Sequence, residues 1–105
     1  MIIDMNGILQ EMVDVIAATL KKDGQKVKNQ TRELLQAHKD ALVELSGFAL
    51  DGELTEEELE SEIAEEMVIL ESELVDSGIA GKTAAEKAVS AATDHFRKKV
   101  IDLMP

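Results

Sequence analysis

Apolar residues recur at steps of three and four positions in four stretches of the chain, which is the spacing of one buried face of a helix. The four stripes are Met5, Leu9, Met12, Ile16 and Leu20; Leu34, Leu35, Ala41, Leu42, Leu45 and Phe48; Leu59, Ile63, Met67, Leu70 and Leu74; and Ala85, Val89, Ala92, Phe96, Val100 and Leu103. The pattern predicts an all-α protein, an antiparallel helical bundle of three or four helices, with residues 1–105 as a single helical domain.

Capping boxes predict where the last two helices begin. In Thr55 and Glu58, and again in Thr83 and Glu86, a hydroxyl and a carboxylate have the spacing that satisfies two free backbone N–H groups at a helix start. Glycines and an Asp-Gly pair mark the turns before each box. We therefore expect helices near 55–77 and 83–103, after turns at Asp51-Gly52 and at Gly78 to Gly81.

The first half of the chain supports two interpretations. Asp23 and Gly24 are typical of a turn, which gives helices near 5–22 and 26–49. A seven-residue apolar step nevertheless continues through Gly24, and one glycine costs a helix only about 1 kcal/mol. A single helix over 5–49 is the alternative. Its polar middle would need a second copy to lie against, so this interpretation predicts a homo-oligomer with coiled-coil-like packing.

Charge is distributed very unevenly along the chain. The net charge is −11, and residues 51–76 contain twelve Asp or Glu and no Lys or Arg, whereas the two ends nearly cancel. Such a field disfavours nucleic acid as a direct ligand, and it disfavours anionic membranes. The helix predicted near 55–77 is therefore expected to pack through its apolar side and to be negatively charged on its other sides.

Two sets of charged residues are the candidate interaction residues. The acidic set is either a solvated face or a docking surface for a basic partner protein, of which a nucleic-acid mimic is a special case. The basic set precedes it and is expected to pair with acidic residues within the chain or between copies. The acidic set is Glu53, Glu56, Glu57, Glu60, Glu62, Glu65, Glu66 and Glu73; the basic set is Lys21, Lys22, Lys26, Lys28 and Arg32.

The sequence offers little for catalysis or for a cofactor. Cysteine is absent, which excludes disulfides and thiolate metal sites. Residues 51–58 resemble the second half of an EF-hand loop, but the earlier ligand positions fall on Gly47 and Ala49, which have no side-chain oxygen. Neither His38 nor His95 follows a Glu by three positions, as a di-iron bundle site requires. We expect a buried or half-buried structural His38, a rim position for His95, and no catalytic, cofactor or metal residue.

These observations predict a non-enzymatic structural, assembly or protein-interaction protein that acts as a homo-oligomer. The alternatives are an acidic regulator or nucleic-acid mimic that binds a basic partner through residues 51–76, and a carboxylate metal-binding bundle. Asp4, Glu11 and Asp14 interrupt the first apolar residues, so they do not form a signal peptide. No apolar run has membrane-spanning length, and we expect a cytoplasmic protein.

Overall fold

The computed structural model describes residues 3–22 and 24–105. That part of the chain contains five α-helices and no strand, which confirms the all-α class. In chain order the helices are α1 (Met5–Leu20), α2 (Gln25–Gln36), α3 (Lys39–Leu50), α4 (Glu56–Asp76) and α5 (Lys82–Ile101). None of them is both long enough and apolar enough to cross a membrane.

Helix α5 lies at the centre of the packing, between α1 and α4. Near the middle of α1, the Glu11 carboxylate lies 2.8 Å from Nε2 of His95. Just beyond the end of α1, Nζ of Lys22 donates a hydrogen bond of 2.6 Å to the carbonyl of Ile79, which precedes α5. Later residues of α1 therefore meet earlier residues of the α5 segment, so the two helices run antiparallel.

The predicted stripes form the core of the molecule. Every stripe residue of α4 is buried, and so are the stripe residues of α5 except the last, Leu103. Phe96 is completely buried, whereas Phe48, which the pattern places in the second stripe, is 41% exposed. The core is therefore aliphatic around one aromatic ring, and the second ring lies at the surface beside α4.

The single long helix over 5–49 is wrong. α1 ends at Leu20 because Lys21 adopts the left-handed conformation, with φ of 58°. The N–H groups of Lys21 and Lys22 turn back to the carbonyls of Ala18 and Ala17. This reversal lets α2 pack against α1 in its own chain. Of the seven-residue step, Val13 is buried, and Leu20, Val27 and Leu34 are half-buried against the same core.

The number of helices also differs from the predicted three or four. The expected helix over 26–49 is interrupted at Ala37 and His38, whose N–H groups donate to the carbonyls of Leu34 and Leu35, three residues back rather than four. This tightened turn separates α2 from α3. α2 then packs mainly against α1, and α3 mainly against α4.

One of the two predicted capping boxes is present. Thr55 Oγ1 accepts from the N–H of Glu58 at 3.1 Å, and the Glu58 carboxylate accepts from the N–H of Thr55 at 3.0 Å. The second box is wrong, because α5 begins at Lys82 and Gly81 is its cap residue. The Gly81 carbonyl accepts the first helical hydrogen bond, from Ala85, so Thr83 already lies inside the first turn.

The glycines of the two other predicted turns serve as expected. Gly52, after α3, and Gly78, after α4, have φ values of 80° and 78°, which a residue without Cβ adopts readily. Each lies just before an N–H group that closes the helix end: Glu53 donates to Phe48, and Ile79 donates to Leu74. The Asp51-Gly52 and Gly78 turns are thus confirmed.

Replacement of Thr31 by Val should raise the free energy of unfolding. Thr31 on α2 is completely buried, and its hydroxyl has no hydrogen-bond partner among the described residues. Val has nearly the same shape and removes the unsatisfied group, so we expect a gain of about 1 kcal/mol in urea denaturation followed by circular dichroism.

Ser46→Ala is the matched control for this substitution. Ser46 is equally buried, but its hydroxyl donates to the carbonyl of Leu42 at 2.7 Å. Its replacement should bring no gain in stability. A loss of stability in Thr31→Val would show that the Thr31 hydroxyl is satisfied in solution.

Candidate protein-interaction surface

The acidic set lies on and just before α4 and divides into two groups by direction. Glu53 lies in the turn before α4, and Glu56, Glu57, Glu60, Glu62 and Glu65 on α4 are exposed to solvent. Glu66 and Glu73 are half-buried and face the α2–α3 junction. The outward group is a candidate docking surface, whereas the inward pair has a partner in the chain.

That partner is His38, the buried residue at which α2 gives way to α3. Its side chain is only 6% exposed, with Nδ1 2.8 Å from Glu66 Oε1 and Nε2 2.5 Å from Glu73 Oε1. An ionised carboxylate only accepts, so when Glu66 and Glu73 are both ionised both ring nitrogens donate and the ring is an imidazolium. The predicted buried structural position of His38 is confirmed, and the structure adds the two carboxylates that hold it.

Opposing effects act on the pKa of His38. Burial lowers the pKa because it disfavours the charged ring, but the hydrogen bonds from the ring to Glu66 and Glu73, and the negative charges of both, outweigh burial. The pKa of His38 is therefore raised above its ordinary value of 6.5. The protonated ring joins the α2–α3 junction to two positions of α4 that are seven residues apart.

In the described residues the basic set makes no ion pair with α4, and its ion pair within the chain is with α1. Lys28 lies 3.7 Å from Asp14 on α1, and Arg32 donates two hydrogen bonds to Gln10 on the same helix. Lys21 and Lys26 are exposed. α2 runs beside α1, so its cations meet α1 first, and pairing between copies stays a prediction.

Ion pairs on α4 are few in the described part of the chain. Besides the contacts of His38, the structure shows Arg97 of α5 at 3.8 Å from Glu60. Glu56, Glu57, Glu62 and Glu65 have no ion-pair partner there. Most of the outward negative charge is thus uncompensated by the protein itself.

An open groove of about 560 Å³ lies between α3 and α4, and we call it the α3–α4 groove. Leu54, from the turn between the two helices, also lines it. Each helix contributes residues at positions i, i+3, i+4 and i+7, which form one helix face. The α3 wall consists of Ala41, Glu44, Leu45 and Phe48, and the α4 wall consists of Glu62, Glu65, Glu66 and Ile69.

Large apolar side chains remain exposed on or beside α4. Ile69 is 51% exposed and Phe48 is 41% exposed, both in the α3–α4 groove. Val68 and Val75, at 57% and 37%, lie on the other side of α4, beside Lys82 of α5. The acidic helix is therefore apolar as well as charged on its outer surface.

Sequence reasoning missed these apolar residues and the role of His38. Val68 and Ile69 lie outside the buried stripe of α4, so a helical projection of the sequence could have found them. Glu66 and Glu73 are seven residues apart on one helix face, which also signals a shared partner. No pattern in the sequence indicated that Phe48 is exposed, because it has the same three- and four-residue spacing as the buried residues of its stripe.

The stability contributed by His38 should decrease as the pH rises. The pKa is raised in the folded protein, so the contribution is fully present below the ordinary pKa of 6.5 and is lost as the pH passes through the higher folded-state value. We expect the difference in free energy of unfolding between the wild type and His38→Gln to shrink as the pH rises above 6.5 and through the raised pKa of the folded protein. Urea denaturation at a series of pH values measures it.

The variant with Glu66→Gln and Glu73→Gln tests the cause of this dependence. It keeps His38 but removes both negative charges, so NMR titration of the His38 ring should give a lower pKa than in the wild type. A difference between wild type and His38→Gln that stayed constant or grew with pH would contradict the imidazolium assignment.

Comparisons with known proteins add no assignment to this geometry. The chain matches no protein-family model, and searches of curated proteins and of solved structures give no significant match. Among the described residues, no group of three or more His, Asp or Glu is arranged to hold a metal ion.

Proposed function

We propose that the chain is a non-enzymatic protein-interaction protein, built on an antiparallel helical bundle, that binds a basic partner protein through the outer surface of α4. The observation that carries the proposal is the exposed carboxylate group on α4, which has so few cations in its own chain. Glu56, Glu57, Glu62 and Glu65 are all exposed and unpaired in the described residues.

Electrostatics supports a basic protein as the partner. Like charges along one helix repel by a few tenths of a kcal/mol per pair, and a bound cationic surface relieves that repulsion. The field also acts before contact, over a distance of about 10 Å at moderate ionic strength, and so accelerates association with a basic surface. It opposes DNA, RNA and anionic lipid for the same reason.

Self-assembly is the second candidate function, and a different surface favours it. Val68, Ser72 and Val75 lie along one line of α4, and Lys82 of α5 borders them together with Asp76. A two-fold axis through this patch would bring apolar residues together and place Lys82 of one copy near Asp76 of the other. Glu71 and Glu86 also line the patch, so its apolar residues and the Lys82–Asp76 pairing favour the contact, whereas its net charge opposes it.

Neutralising the α4 carboxylates should remove binding to the basic partner. The variant E56Q/E57Q/E62Q/E65Q takes away four exposed charges and should reduce retention of basic proteins by roughly tenfold or more, since exposed charge pairs are each worth up to about 1 kcal/mol. The measurement is capture by the immobilised chain at low and high salt, and binding to the wild type should fall as salt rises.

The control E33Q/D40N/E86Q/D102N removes the same number of exposed charges from α2, α3, α5 and the residue after α5. It should retain the same proteins as the wild type. Circular dichroism checks that both variants keep their helices. Equal retention by the α4 variant and the wild type would sink the proposed function.

Self-assembly through the valine patch predicts a dimer in light scattering at micromolar concentration. V68E/V75E should shift it to a monomer, because it would bring charges into the contact. S61E/A64E adds the same charge to exposed positions of α4 outside the patch and should leave the dimer intact. A monomeric wild type would eliminate this candidate and leave the first untouched.

A further inference from the structure

The α3–α4 groove has the dimensions and shape to take a helix. Its walls are two antiparallel helix faces, since His38 before α3 meets Glu66 and Glu73 while Phe48 at the end of α3 shares the groove with Glu62. Each wall extends over about two helical turns, or roughly 10 Å. A third helix laid between two others packs its own i, i+3, i+4 and i+7 residues into such a groove.

The apolar side chains of the groove are partly exposed to solvent. Phe48 and Ile69 are 41% and 51% exposed, and Leu45 and Leu54 are half-buried beside them. Removing this apolar surface from water is favourable. An occupant of the groove therefore needs apolar side chains on the face that enters it.

The charged residues of the groove determine which charge a bound segment must carry. Glu44 stands on the α3 wall, and Glu62, Glu65 and Glu66 stand on the α4 wall, so both walls carry carboxylates beside their apolar residues. Among the described residues, Glu44, Glu62 and Glu65 have no ion-pair partner, and the groove lining includes no cation. Lys or Arg residues on both flanks of the entering face would complement them.

We propose that the α3–α4 groove binds an amphipathic helix of a partner protein, with an apolar stripe of about two turns bordered on both sides by Lys and Arg. This proposal rests on the proposed function and identifies its site and the kind of segment that binds there. The apolar side chains of the partner helix supply affinity by packing on the apolar residues of the groove. Its flanking Lys and Arg residues orient the helix and speed its association.

A second copy of this chain fits the groove less well than such a helix. Lys26 and Lys28 lie on α2, a helix whose apolar residues are already turned towards the core. Near the end of α5, Lys98 and Lys99 are followed by one exposed apolar residue, Leu103. One exposed apolar side chain is too few to cover both Phe48 and Ile69, which are exposed in the groove.

Labelled helical peptides of about 16 residues test the assignment by fluorescence anisotropy. The first has Leu at i, i+3, i+4 and i+7 with Lys and Arg on the flanks; the second has the same composition without the stripe; the third has the stripe with Glu flanks. We expect the first to bind, and the other two to bind at least about tenfold more weakly. NMR shift changes should map to residues 41–48 and 62–69.

Substitutions at exposed positions test binding without disturbing the buried core. F48S/I69S should weaken binding of the first peptide by about tenfold or more, since each side chain loses its burial in the complex. V75S/L103S removes two exposed apolar side chains outside the groove and should bind like the wild type. Wild-type binding by F48S/I69S, no binding of the first peptide, or shifts outside the groove would overturn the assignment.

The same measurements separate this inference from the proposed function. If E56Q/E57Q/E62Q/E65Q loses peptide binding while F48S/I69S keeps it, the acidic surface of α4 binds basic partners and the groove assignment falls. If neither variant changes binding, both fall. If the wild type self-associates and F48S/I69S makes it monomeric, the occupant is a second copy, and the partner-helix assignment is overturned.

Discussion

Burial of the apolar stripe on α4 holds the most highly charged helix of the molecule in place. Leu59, Ile63, Met67, Leu70 and Leu74 are all at most 2% exposed, and complete burial of such side chains is worth about 1.5–3 kcal/mol each. Repulsion between neighbouring carboxylates amounts to a few tenths of a kcal/mol per pair. The apolar term is the larger by far, so the helix keeps its outer charge without cations of its own chain beside most of it.

The second determinant of the architecture is the imidazolium of His38. It lies at the junction where the backbone changes direction, and its two hydrogen bonds to α4 are made from that junction. Division of one long segment into α2 and α3 allows the first to follow α1 and the second to follow α4. The α3–α4 groove results from this division, because α3 and not α2 forms the wall that faces α4.

Local patterns were sufficient for much of the fold. The stripes of α1, α4 and α5 depend only on helical period, and the Thr55 box and the turns at Gly52 and Gly78 depend only on residues a few positions apart. The break at His38 depends on Glu66 and Glu73, which are 28 and 35 positions away, and no glycine or proline marks it. The left-handed residue is Lys21, although Gly24 nearby has the better intrinsic preference.

The candidate surface was predictable in its charge and not in its shape. The excess of carboxylates between residues 51 and 76 is visible in composition alone, but which of them face outwards depends on how α3 packs. The same applies to Phe48, whose position in a stripe predicts burial. Its ring reaches the surface because α3 leaves an open groove beside α4.

Glu66 belongs to two environments at once, because it accepts from His38 on one side and borders the α3–α4 groove on the other. A cation that approaches it from the groove competes with the proton on His38 for the same carboxylate charge. Thermodynamic linkage makes this competition reciprocal: a cation bound in the groove would lower the pKa of His38, and protonation of His38 would weaken that cation's binding by the same factor. Protonation of the buried ring is thus coupled, through the single side chain of Glu66, to the charge of whatever enters the groove.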